Sequence, residues 1–134
     1  MAKIIGINKG NSTASTTIYD PTCSSGSLLI KAGEEAEKSI TLFGQEMDIA
    51  TVALASMNMV LHNQAQNLHG IRQGNTISDP KFIKKDGDKE VLEAFDYAVA
   101  NPPFSFASWT KGFIDDKTKA RSYRASVKYC KRLN

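Results

Sequence analysis

The stretch Phe95-Asp96-Tyr97-Ala98-Val99-Ala100-Asn101-Pro102-Pro103-Phe104 decides how this chain reads. Tyr97 to Ala100 form a short apolar run, with Asp96 before it and two prolines behind it. Such a run predicts a buried strand. The strand must stop at Asn101, because neither Pro102 nor Pro103 carries an N–H for a ladder hydrogen bond. A residue before proline is also pushed toward extended backbone. Asn101 is therefore presented at the carboxyl end of a strand, with the aromatic Phe104 shortly after it. In open α/β sheets, ligands sit outside the carboxyl ends of the strands. A plain strand closing in a Pro-rich turn is the other reading, and the stretch by itself does not choose between them.

The upstream sequence supplies the context. Residues 1–14 are small and polar and predict a loop or a loosely held end. Ser15 to Tyr19, with β-branched Thr16, Thr17 and Ile18, predict a first strand. It runs into Asp20-Pro21-Thr22-Cys23-Ser24-Ser25-Gly26-Ser27, a turn of small residues, and then a helix from Leu28 to about Glu37. Gly26 permits close backbone approach, and the free amides of the helix's first turn face the crevice beside it.

Ile40 to Gly44 predict a second strand ending at Gln45-Glu46. Met47-Asp48 open a long helix to about His62, with Ile49, Val52, Ala53, Met57, Val60 and Leu61 near one face. The methionines of this segment suit core filling better than ligand binding. A short strand around His69 to Gln73 ends at Gly74-Asn75, and the charged segment Lys81 to Glu93 predicts a surface loop.

Strands alternating with helices imply a parallel sheet with right-handed crossovers. Its carboxyl ends then gather Asp20, Glu46, Asn75 and Asn101 along one edge. A Gly- and Ser-rich first turn followed by an acidic residue at the end of the second strand suits a nucleotide-like cofactor. Glu46 reads equally as a carboxylate favoured by a helix dipole. The pattern Gly-x-Gly-x-x-Gly and a P-loop lysine are both absent, so a bound pyrophosphate is disfavoured. A cofactor with ribose and adenine but no phosphate fits better, namely S-adenosyl-L-methionine.

Length and composition set the outer limits. The 134 residues suffice for one domain with a core. No apolar run approaches the roughly 20 residues that cross a bilayer, and the amino terminus has no cleavage pattern. A cytoplasmic protein with no membrane association is expected. Cys23 and Cys130 are far apart and read as reduced thiols, not metal ligands. His62 and His69 suit solvated or capping roles. No metal site is expected.

The net charge of +3 conceals an asymmetry: the chain carries −3 through Thr110 and +6 from Lys111 onward. The basic end suits a nucleic-acid surface or a solubilising tail.

Four elements in this order resemble one family closely. They are Asp-Pro-Thr-Cys-Ser-Ser-Gly-Ser from Asp20, Phe-Gly-Gln-Glu-Met from Phe43, Gly-Asn-Thr from Gly74 and Asn-Pro-Pro-Phe from Asn101. The combination is similar to the modification (methyltransferase) subunit of type I restriction-modification systems, adenine-specific DNA methyltransferases. The resemblance runs from about Gly6 to Phe113. Asn-Pro-Pro-Phe alone also suits methyltransferases acting on protein glutamine or RNA, while Trp109 and Gly112-Phe113 favour the DNA family.

The resemblance implies a Rossmann-like methyltransferase fold, in part: the first four parallel strands with flanking helices. It implies a partial catalytic domain over 1–113 and a basic tail over 114–134 that lies outside it. Asp20, Thr22, Ser24, Gly26 and Ser27 would lie against the methionine moiety and ribose of S-adenosyl-L-methionine. Glu46 would accept hydrogen bonds from the ribose, and Met47 and Asn75 would sit by its adenine.

At the other end of the site, the Asn101 side chain and the Pro102 carbonyl would accept from the amine of a flipped target adenine, with Phe104 stacked on its ring. Two acceptors on a delocalised amine stabilise charge growing on nitrogen during methyl transfer. Unstacking the base costs a few kcal/mol, which an aromatic platform partly offsets. Implied partners are DNA and the specificity and restriction subunits.

The chain departs from the family at two places. The family's turn has glycine where Ser24 stands, which predicts strain and weakened cofactor binding if that position has positive φ. The family's sheet also continues beyond the fourth strand, so a truncated fragment would expose a sheet edge and self-associate. Such a fragment could be inactive alone, serving only in subunit association.

Overall fold

The protein is described by a computed structural model over residues 7, 10, 12–36 and 40–102. In chain order the elements are β1 (Thr17–Asp20), α1 (Ser27–Ala36), β2 (Thr41–Glu46), α2 (Ile49–Leu61), a 3₁₀ turn (Ala65–Gly70), β3 (Ile71–Gln73), β4 (Ile83–Asp86), β5 (Lys89–Leu92) and β6 (Tyr97–Ala98). The main sheet has the order β3-β2-β1-β6, and every pairing in it is parallel. This is the α/β architecture with four parallel strands that the alternation implied. All four carboxyl ends lie along one edge.

Register explains which side chains form the core. Ile18 pairs with Leu42 on one side and Tyr97 on the other, while Gly44 pairs with Ile71. Because successive side chains alternate between faces, Ile18, Leu42 and Ile71 share the face that α1 and α2 cover. Leu29, Ile30, Ala32 and Ala36 of α1 and Ala55 and Met59 of α2 complete that core. Gly44 admits a close approach: a Cβ there would stand 2.9 Å from Cys23 Sγ and from Leu29 Cδ1.

The other face carries Tyr19 and Phe43, which meet Phe82 and Phe95. Tyr19 stacks on Phe95 at 4.7 Å between centroids, and Phe82 meets Phe43 edge-on at 5.4 Å. Offset and edge-to-face rings are the favoured aromatic arrangements.

Several sequence expectations are corrected. Lys81 to Glu93 is not a plain loop: it holds an antiparallel hairpin, β4 on β5, turning at Gly87 with φ +60°. A two-residue turn with positive φ matches strand twist, so Asp86-Gly87-Asp88 was a hairpin signal. Around it Lys85 faces Glu90 and Asp86 faces Lys89.

The α2 face is also reversed. Ile49, Met57, Val60 and Leu61 are exposed, Val52 is partly buried, and the helix buries Ala55 and Met59 instead. Helix α2 carries no charged residue, so it is apolar on both sides and spacing could not select one. Packing against the β1–α1 turn selects it. Gly26 lies against this side of α2: a Cβ on it would meet Met59 Cε at 3.4 Å and Ala55 Cβ at 3.6 Å. Of the methionines, Met59 fills the core, whereas Met47 and Met57 do not.

Smaller differences concern the ends of the chain and the opening stretch. Ile7, within the segment read as loosely held, is buried in the core. The strand of the opening stretch is an edge strand among the described residues: Val99 is buried while Ala98 and Ala100 are exposed. Phe104, Cys130 and the basic end lie outside the described residues.

The turn before β3 is a finding of the structure alone. Asn67 is buried, accepts from Leu42 N–H at 3.0 Å and donates to Ile40 O at 3.3 Å. It thereby satisfies the part of β2 that β3 is too short to reach.

Gly70 then enters β3 directly against β2, where a Cβ would collide with the Leu42 carbonyl. Backbone on both sides leaves nothing flexible to yield. Gly70→Ala is therefore expected to cost about 3 kcal/mol or more of stability, measured by urea denaturation. A loss below about 1 kcal/mol would contradict this packing.

Candidate cofactor site at the carboxyl edge of the sheet

The site grows from three chain reversals at one sheet edge. After β1 the chain turns through Pro21 to Gly26, with Ser24 at φ +49° and Gly26 at φ +76°. The turn is tied down twice: Cys23 N–H donates to Gln45 O at 3.0 Å, and Ser24 N–H donates to Glu46 Oε2 at 3.0 Å. The other Glu46 oxygen accepts from Met47 N–H at 2.8 Å and Asp48 N–H at 3.1 Å. One carboxylate thus joins the β1 turn to the entry of α2. Asp48 then caps that helix by accepting from Thr51 N–H at 2.8 Å. The Thr51 hydroxyl, donating at 2.7 Å, and the Thr51 N–H hold the exposed Asp48 carboxyl below the usual carboxylate range.

The β3 exit joins the same group. Gly74 N–H donates to Glu46 O at 2.9 Å, and Gln73 Nε2 donates to Met47 O at 3.1 Å. Asn75 Oδ1 accepts from Ile77 N–H at 2.9 Å and Ser78 N–H at 3.3 Å, while its Nδ2 reaches Met47 Sδ at 3.9 Å. Thr76 Oγ1 donates to Pro21 O, binding the β3 exit back to the β1 turn.

Asp20 is buried and its Oδ1 accepts from Thr22 N–H at 2.9 Å. Burial pushes its carboxyl up to about 6, opposed by the Thr22 backbone and hydroxyl and reinforced by the nearby charge of Glu46. Burial, with the charges of Asp20 and Glu46, pushes the Cys23 thiol up to about 12. A thiol so protonated is no nucleophile at neutral pH.

The structure therefore brings Asp20, Thr22, Ser24, Gly26, Glu46, Met47 and Asn75 into one connected cluster. Ser27 opens α1 beside it, exchanging a hydrogen bond with Ser25 Oγ at 2.8 Å. Asn101 and Pro102 are exposed beyond β6. The bond from Val99 N–H to Tyr19 O at 2.9 Å carries that strand's pairing up to the same edge. Among the described residues no hydrogen bond joins Asn101 to the Glu46 cluster. Among the described residues no group of His, Cys, Asp and Glu could hold a metal ion.

Residues that the sequence reading missed are Gln45 and Thr76. Gln45 is fully buried, and its Nε2 donates to Asp79 O at 2.8 Å while its Oε1 accepts from Lys81 N–H at 3.1 Å. The available signal was a glutamine inside a strand pattern, at a position where an apolar residue would be cheaper to bury.

Two outcomes follow from this geometry. Ser24 occupies the left-handed region, which costs a non-glycine residue roughly 1–2 kcal/mol. Glycine adds unfolded-state entropy of about 0.5–1 kcal/mol. Ser24→Gly should therefore leave stability unchanged or raise it by up to about 1 kcal/mol, measured by urea denaturation; a clear loss would contradict the strain.

For Asp20, the folded state binds its proton more tightly than the unfolded chain, whose carboxyl ionises near pH 4. Its contribution is most favourable below about pH 4 and is lost as pH rises through about 6. Asp20→Asn should flatten that fall, worth about 3 kcal/mol, in denaturation curves taken across this range. An unchanged slope would contradict the burial of a charged Asp20.

Comparison with known proteins identifies the family and the fold. The family described as N-6 DNA Methylase matches residues 1–131. The type I restriction enzyme MpnII methylase subunit of Mycoplasma pneumoniae is 33% identical over 96 residues, covering 69% of this chain and 18% of that protein. The MjaVIII methylase subunit of Methanocaldococcus jannaschii is 33% identical over 103 residues, covering 75% of this chain and 17% of that protein. The crystal structure of a type I restriction-modification system methyltransferase subunit from Streptococcus thermophilus superposes with a TM-score of 0.64 at 31% identity, over 87% of this chain and 24% of that one. The chain thus spans under a fifth of these curated relatives' length. With a parallel sheet, a tied first turn and a match along nearly its whole length, the chain belongs to the N-6 DNA methylase family.

Proposed function

We propose that this chain carries the S-adenosyl-L-methionine half of an adenine-specific DNA methyltransferase, the modification subunit of a type I restriction-modification system. One observation carries the reading: Ser24, Glu46, Met47 and Asn75 form a single hydrogen-bonded cluster at the carboxyl edge of the sheet. The relatives named as type I methylase subunits support the same assignment.

The donor set suits the cofactor. An ionised carboxylate offers about four lone-pair sites, and backbone N–H groups take three of those on Glu46. One acceptor position is left for a ribose hydroxyl. Met47 is about half exposed and offers an apolar surface to a flat base. Asn75 has its oxygen committed to Ile77 and Ser78, so it presents N–H donors, which suit a ring nitrogen acceptor. Asp20, ionised above about pH 6, and the turn through Thr22, Ser24, Gly26 and Ser27 suit the cationic methionine end. When bound, the cofactor supplies an electrophilic methyl group.

Asn101 and Pro102 supply the target side of the site. The Asn101 amide oxygen and the Pro102 carbonyl would accept from the adenine amine, and Phe104 would stack on the base. DNA and the specificity and restriction subunits are the proposed partners. A second reading, subunit association without catalysis, draws on the exposed apolar side of α2 and the edge position of β6.

Titration calorimetry of the chain with S-adenosyl-L-methionine tests the reading. Binding is expected, with affinity falling as pH drops below about 6, where Asp20 protonates. Glu46→Ala should abolish it, since three backbone amides lose their acceptor along with the ribose contact. Absence of binding by the unaltered chain at pH 8 would overturn the cofactor assignment and favour the association reading.

A further inference from the structure

Gln45 is the most completely buried amide at the site edge, with none of its surface exposed. It stands between the two strands that feed the cofactor cluster. Its backbone carbonyl takes Cys23 N–H from the β1 turn. Its side chain runs past Gly74, where a Cβ would come within 3.0 Å of Gln45 Nε2. There it grips the far side of the next turn: Nε2 donates to Asp79 O at 2.8 Å and Oε1 accepts from Lys81 N–H at 3.1 Å.

That turn is the one that carries Asn75. Asp79 N–H donates to Asn75 O at 2.7 Å, closing it. Within it Asn75 Oδ1 accepts from Ile77 and Ser78, which fixes which end of the amide is which. The donor end, Nδ2, is left pointing at Met47. Residues 77–79 are exposed, and the Gln45 amide and the Thr76–Pro21 bond tie this turn to the strand ends beside it.

We infer that Gln45 is a positioning residue for nucleobase selection. By locking the 75–79 turn, it aims the Asn75 N–H donors at the base position and so selects a 6-aminopurine, whose N1 accepts, over a 6-oxopurine, whose N1 carries a hydrogen. This deepens the proposed function and rests on it. The chemistry demands an amide at residue 45. An ionised carboxylate would keep the bond from Lys81 N–H but face Asp79 O with no donor; a neutral carboxyl offers both a donor and an acceptor.

The test compares binding of S-adenosylhomocysteine and S-inosylhomocysteine by calorimetry, with the full chain. The unaltered protein should prefer the adenosyl compound by roughly tenfold or more, the scale of an unpaired donor. Gln45→Met should bring the ratio to within about twofold, chiefly through loss of the adenosyl affinity. Gln45→Glu should keep the preference at low pH, where a buried carboxyl stays neutral, and lose it on ionisation. The charged groups around this position are Lys81 and Asp79, which pair at 2.6 Å, and Arg72, its neighbour across β2 and β3. None of these supplies the missing donor to Asp79 O.

A space-filling role predicts a preference that survives in both variants and does not follow pH, and that result would overturn the inference alone. Failure of the unaltered protein to bind either compound would overturn the proposed function and the inference with it. Should the Gln45 variants not fold, Gly74→Ala disturbs the same contact from outside, because its Cβ would also approach Lys81 Cε at 2.8 Å. It should collapse the preference likewise, and a retained tenfold preference would count against Gln45 as the positioning group.

Discussion

The Glu46 carboxylate is the interaction on which the edge of this sheet depends. It accepts from Ser24, Met47 and Asp48, so it fixes the β1 turn against the entry of α2. Its own backbone carbonyl holds the exit of β3 through Gly74. Bonds from backbone donors to a charged acceptor are stronger than neutral ones, and here they converge from three segments on one residue. The candidate cofactor site is in this sense a by-product of how the strand ends are closed.

That closure sets limits on the neighbouring side chains. Ser24 sits in left-handed backbone because its N–H must reach Glu46. Gly44 must lack a side chain because Cys23 and Leu29 fill the space above it. Asp20 is buried behind the turn and retains its proton to about pH 6. The residues that read as a binding motif are therefore also the residues that make the turn possible. Substitutions here act on stability, so any effect on cofactor binding has to be measured separately.

Much of the fold was legible, because β1 and β2 are short runs that end at the polar stops Asp20 and Glu46, whereas β6 ends at Ala98, short of the Asn101 stop that the prolines implied. What was not legible has physical causes. Helix α2 is apolar on both sides, so only its packing against Gly26 reveals that Ala55 and Met59 turn inward. The hairpin at Ile83–Leu92 is rich in charge, and cross-strand pairs such as Lys85 with Glu90 resemble loop composition. Asn67 and Gln45 act through long-range hydrogen bonds to backbone groups, and no local pattern announces those. In the candidate site, the residues around Glu46 were found from sequence, whereas the amide that braces Asn75 was visible only once the turn at 75–79 had been placed.

The central claim is that the strand ends closed by Glu46 form one cofactor-binding surface. Amide chemical shifts in a two-dimensional NMR titration with S-adenosylhomocysteine test it most directly. The account predicts that the amides of Ser24, Gly26, Met47, Asp48 and Asn75 move together along a single binding curve, while those of the hairpin at Gly87 and of α1's far end at Ala36 stay still. Shifts confined to the hairpin or to the exposed side of α2, or none at saturating ligand, would contradict it.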